Sequence, residues 1–171
     1  EHTAAIMWAV TMLGGFHFND RKYADDDLTM GSIDPYAVFR IFDQIAQYEF
    51  ETGKDPKLAY MVDQSHNLKP KIEAMVQTVD EAQKLFAKAQ LVDRKALARL
   101  QSKGDITGAE RMLRDAYETD VRPLLGAWRK ANKLGADPVE ELRKSGVINE
   151  LAKQRTAERK AAGIVQAASY A

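Results

Sequence analysis

The chain has 171 residues, 45% of them hydrophobic, enough for one ordinary domain with a core of its own. Its 25 Lys and Arg balance 25 Asp and Glu, which disfavours a nucleic-acid partner bound through bulk charge; the lack of cysteine excludes disulfides, a Cys-ligated zinc site and a thiol nucleophile. With no run of 18 apolar residues and no basic segment leading into an apolar one, neither a membrane span nor a signal peptide is expected, and the expected compartment is the cytoplasm.

The neutral total hides a gradient. Residues 1–66 hold 5 basic against 11 acidic side chains, 67–126 hold 11 against 9, and 127–171 hold 9 against 5. Unless surface charge is simply uneven, the acidic excess at the start suits a divalent cation better than an anionic partner.

Ala4 to Leu13 reads as a buried helix, with Ile6, Met7, Val10 and Leu13 at helical spacing, stopped by Gly14-Gly15. The chain begins at Glu1 inside this helical pattern, so it is expected to be the C-terminal piece of something longer. Phe16-His17-Phe18-Asn19 alternates aromatic and polar residues, a short strand with His17 and Asn19 on one face. Asp20 to Ser32, polar and carrying three consecutive aspartates, reads as a loop. Asp34-Pro35 supplies an N-cap and a first-turn proline for an amphipathic helix through Val38, Ile41, Phe42 and Ile45 that ends near Gly53. Leu58 to Asp63 is a second strand, and Gln64 to Lys69 a polar turn.

From Pro70 onward the pattern is helical nearly throughout. One long helix runs to about Lys103, with Ile72, Met75, Val76, Val79, Ala82 and Phe86 on its apolar face, and Gly104 ends it. Thr107-Gly108-Ala109-Glu110 reads as a capping box. It opens a stripe of Leu113, Tyr117, Val121, Leu124, Leu125 and Trp128, with a kink or break expected at Pro123. A short helix runs from Asp137-Pro138 to Gly146, and a basic one from about Ile148 to Ala162.

Strands alternating with helices imply parallel β/α units. Two strands do not make a stable parallel sheet alone, so their partners are expected on chain outside these residues. In a β/α barrel the loops after the strands open on one face. There His17, Asp25, Asp27 and Asp63 would converge, although 46 residues separate the first from the last. One neutral imidazole with several carboxylates suits Mn2+, Mg2+ or Co2+. Spacing alone leaves the plainer alternative open: a hydrogen-bonded strand-end histidine, a solvated run of aspartates and a turn-forming Asp63. A calcium loop starting at Asp25 fails, because its twelfth position is Tyr36 rather than glutamate.

The stretch from Gly14 to Ile33, Gly-Gly-Phe-His-Phe-Asn-Asp-Arg-Lys-Tyr-Ala-Asp-Asp-Asp-Leu-Thr-Met-Gly-Ser-Ile, closely resembles the metal-loop region of bacterial L-rhamnose isomerases. Met61-Val62-Asp63-Gln64-Ser65-His66-Asn67 resembles the segment of that family that supplies another metal ligand. The likeness is specific over Gly14 to Asn67 and looser beyond, where a helical extension is expected.

The resemblance implies an eight-stranded TIM barrel of the xylose-isomerase type, with this chain as its last two β/α units followed by the extension. The corresponding domains are 1–103 for the barrel portion and 104–171 for the extension, expected to make the subunit contacts of a homotetramer. It implies two divalent metals, usually Mn2+. His17 and Asp63 would ligate the structural, sugar-binding one; Asp25 and Asp27 would ligate the catalytic one. Asp25, Asp27 and Asp63 are the implied catalytic groups. The implied activity is the aldose–ketose interconversion of L-rhamnose and L-rhamnulose, lost without the N-terminal part of the barrel and falling in acid, since His17 ligates only when neutral. Asn19, Lys22 and Ser65, beside these ligands, would orient carboxylates or meet sugar hydroxyls, or only pack the loop. Two readings compete with the isomerase: a non-catalytic helical interaction module, on the strength of residues 67–171, and a sugar epimerase on the same barrel.

Overall fold

A computed structural model describes residues 13–24, 26–64 and 70–164. The leading helix expected over Ala4 to Leu13 lies outside them except for Leu13, as does the polar turn except for Gln64. The described elements run in the order β1 (Gly15–Phe18), α1 (Pro35–Thr52), β2 (Ala59–Val62), α2 (Lys71–Gln90), α3 (Arg94–Ser102), α4 (Ile106–Glu118), α5 (Arg122–Ala131), α6 (Pro138–Ser145) and α7 (Val147–Ala161). No described helix is long and apolar enough to cross a membrane.

Among the described residues the sheet has two strands, β1 and β2, parallel, with Gly15 opposite Ala59 and Phe18 opposite Val62. The crossover between them is α1, as expected for a β/α unit. Local chemistry sets both its ends. The Asp34 side chain accepts from the Ala37 N–H at 2.9 Å, and Gly53 closes the helix at φ +64°. At the start of the sheet the strands approach so closely that a Cβ on Gly15 would stand 2.4 Å from the Ala59 carbonyl oxygen.

The core lies between α1 and the helices behind it. Phe39, Phe42 and Ile45 of α1 meet Leu85 and Ala89 of α2, Leu97 of α3, and Leu113 and Ala116 of α4. Two buried ion pairs cross this layer. Arg94 binds Asp43 of α1 and donates to the Ala89 carbonyl at 2.6 Å; Arg129 of α5 donates to Asp80 of α2 at 2.7 Å. Helices after Gly104 pack on the helical layer: α4 against α2 and α3, α6 against α2, and α7 against α6.

Three local expectations are corrected. The long helix from Pro70 to Lys103 is two helices, because Asp93 caps a new one by accepting from the Ala96 N–H at 2.9 Å. The residue capping α4 is Asp105, which accepts from Gly108 N–H at 2.9 Å, two places before the expected Thr107. On α2, Ile72, Met75 and Val79 are exposed, while Ala74, Thr78, Leu85 and Ala89 are buried. The rest of the stripe is divided: Ala82 and Phe86 pack toward the core, Phe86 meeting Phe42 of α1 at 5.9 Å, while Met75 and Val79 line a groove with Trp128 and Arg129 of α5. The break at Pro123 is present, with the proline in the first turn of α5.

Candidate functional site

The pleat of β1 sorts its side chains onto two faces. Phe16 and Phe18 point into the helical layer: their rings stack at 5.6 Å, and Phe18 reaches Phe42 of α1 at 5.5 Å and Tyr60 of β2 at 5.8 Å. These aromatics are packing residues. His17 stands on the opposite face. Because the strands are parallel and in register, with His17 opposite Met61, the alternation puts Asp63 on the face of His17. The Asp63 N–H donates to the Phe18 carbonyl at 3.1 Å, which continues the ladder one residue past β2. His17 Nδ1 then lies 3.6 Å from Asp63 Oδ2, with both side chains more than half exposed, at 64% and 58%. Pairing to solvent rather than to the core leaves both groups open to a ligand.

The loop after β1 is tied at several points. Asp20 and Leu28 exchange backbone hydrogen bonds of 2.9 and 2.6 Å. The Asp20 carboxylate accepts from the N–H groups of Ile33 at 2.8 Å and Asp34 at 3.2 Å, which joins the loop to the start of α1. Within the aspartate run the middle residue is a loop former. Asp26 accepts from the Tyr23 N–H at 3.0 Å and from the Lys22 N–H at 3.1 Å, and these donors, Tyr23 first, hold its pKa below the usual carboxylate value. Asp27 sits at φ +40°, a conformation that aspartate tolerates better than most residues. The Asn19 amide donates to its Oδ1 at 2.9 Å. The Lys22 ammonium lies over the Tyr23 ring, 5.4 Å from its centre.

Of the four expected ligands, then, His17 and Asp63 come together, and Asp27 is held by Asn19. Asp25 lies outside the described residues, as does Ser65. Among the described residues no three His, Asp or Glu side chains gather as a metal-holding group. The imidazole and carboxylates have the donor chemistry of a hard-to-borderline divalent cation. His17 and Asp63 supply two donors of that type, and a closed coordination shell needs more than two. Sequence reasoning passed over Asp20 and Asp26 as the groups that shape the loop. Their signal was an aspartate placed to accept backbone N–H groups in a turn-rich segment.

No family model matches the chain. Over 145 residues, 85% of its length, it is 43% identical to a protein of Mesorhizobium japonicum named a probable sugar isomerase. A protein of Rhizobium meliloti with the same description is also 43% identical over 145 residues. The chain spans about a third of the length of these curated relatives, 34% in each case. It is thus similar, over most of its own residues, to one part of two probable sugar isomerases.

Proposed function

We propose that this chain belongs to a metal-dependent aldose–ketose isomerase, as the last two β/α units of a TIM barrel and the helices that follow. The observation that carries the reading is the His17–Asp63 pair: two ligand-type side chains side by side just where neighbouring parallel strands end. Barrel active sites lie at that end of the strands. The similarity to two probable sugar isomerases supports the same reading. The sheet supports the barrel. Parallel strands are ordinarily covered on both faces, yet among the described residues helices cover only one face, while His17, Met61 and Asp63 on the other are exposed. Barrel strands on chain outside these residues would cover that face.

In this reading His17 and Asp63 hold one divalent cation and Asp25 and Asp27 a second, with Mn2+ the expected ion and Mg2+ or Co2+ the alternatives. The chemistry such ions supply when bound is polarisation of the open-chain carbonyl and easier proton movement between the first two sugar oxygens. The chain's part is to fix donors in space. His17 offers a ring nitrogen on the open face of the sheet. Asp63, fixed by the ladder bond to Phe18, keeps a carboxylate beside that ring. The substrate proposed is L-rhamnose or a related aldose, and the assembly a homotetramer with residues 104–171 at subunit contacts.

The test is turnover of L-rhamnose in the complete protein with Mn2+, before and after chelation. Turnover that disappears on chelation, returns with Mn2+ and is lost in an Asp25→Ala, Asp27→Ala double variant is the expected result. Full turnover by that double variant overturns the assignment.

A further inference from the structure

Asn19 occupies an unusual place. It follows His17 by two residues and stands immediately after the last residue of β1. Its side chain is part-buried and donates to Asp27 Oδ1 at 2.9 Å, across eight residues of sequence. Among the described residues Asp27 makes no other side-chain hydrogen bond or ion pair, whereas its neighbour Asp26 is saturated by backbone donors. The loop that brings Asp27 back is itself closed by the Asp20–Leu28 bridge, immediately next to Asn19.

The choice of partner matters. A lysine or arginine in this place would neutralise Asp27 and compete with a cation. An amide N–H fixes one carboxylate oxygen, leaves the full negative charge, and does not titrate in the physiological range. The second carboxylate oxygen is thereby oriented yet unspent. Hydrogen bonds of this kind to metal ligands set their geometry.

Resting on the metal-site reading above, we propose that Asn19 is a positioning residue for Asp27, holding its carboxylate in the orientation in which it ligates a divalent cation.

The experiment is a Mn2+ titration of the complete protein, with free ion counted by electron paramagnetic resonance and the bound-ion spectrum recorded. Asn19→Ala is expected to weaken the Asp27-dependent site by about tenfold or more and to alter the bound Mn2+ line shape. Asp27→Ala is expected to weaken it at least as much, and the double variant no more than Asp27→Ala alone, because the two residues act through one carboxylate. Melting of the metal-free protein, followed by circular dichroism, is expected to change little in Asn19→Ala. If that variant fails to fold, Asn19→Asp, of the same size but with an acceptor facing Asp27, carries the same expected loss. Wild-type Mn2+ affinity in the Asn19 variant beside weakened affinity in Asp27→Ala overturns the positioning role alone. Additive losses overturn it too, since Asn19 would then act without Asp27. Wild-type affinity in Asp27→Ala removes Asp27 as a ligand, and the role of Asn19 with it.

Discussion

Buried charge is where single residues matter most in this chain. The Arg94 and Asp43 side chains are 6% and 3% exposed, and the guanidinium also holds the carbonyl that ends α2. Removing one partner leaves the other charged, dry and unpaired. Asp43→Ala is therefore expected to destabilise the fold by about 3–5 kcal/mol, read from the urea midpoint. Replacing both residues with apolar ones of similar volume is expected to recover most of that loss. Neither residue stands out in sequence: Asp43 sits in an amphipathic helix and Arg94 at the first position of another, and only folding brings them together across 51 residues. The His17–Asp63 pair has the same origin but the opposite setting. It is exposed, so it contributes little to stability, and substitutions there are expected to spare the fold.

The ends of elements are governed by local chemistry, and their substitutions have bounded effects. Asp137 caps α6 by accepting from the N–H groups of Glu140 and Val139, both at 3.0 Å. The Glu140 bond, more than any other contact, lowers its pKa below the ordinary 3.8. A carboxyl depressed in the folded state stabilises it at pH values above the unfolded pKa and loses that contribution as the pH falls through the folded one. Asp137→Ala is thus expected to cost about 1 kcal/mol near neutrality, and the gap between variant and parent melting curves is expected to close in strong acid. In the sheet, Gly15→Ala would drive a methyl group against the Ala59 carbonyl. Slower-exchanging amides in β1 and β2 are expected to lose protection, with a stability loss of about 1–3 kcal/mol.

For the molecule as a whole, the features left open are those that a barrel would close. Tyr60 of β2 is 52% exposed and borders an apolar groove of about 460 Å3 between β2 and α2, lined also by Phe18, Phe42, Val79 and Phe86, while Met61, 54% exposed, stands on the opposite face. On the proposed barrel the strand next to β2 would pair along its free edge and cover Met61, and a helix of the outer ring would lie beside the groove. Supplying the remaining two-thirds of the relatives' length is then expected to raise hydrogen-exchange protection over Ala59–Val62 and to raise the melting temperature. Unchanged exchange in β2 would count against the barrel. By itself the sequence determined what short-range chemistry controls: α1 from its Asp34-Pro35 start and Gly53 stop, β1 from its alternation, β2 as a short run ending in a carboxylate, and the break at Pro123. It also marked His17, Asp25, Asp27 and Asp63 as ligand-type residues. Only the tertiary structure decided which part of the apolar stripe of α2 meets the core, since Phe86 reaches Phe42 of α1 while Met75 and Val79 face a groove beside Trp128, and that depends on where the other helices pack. It alone joined Arg94 to Asp43, and it alone set His17 beside Asp63, because strand register, a relation between segments far apart in sequence, is fixed by the crossover and its packing.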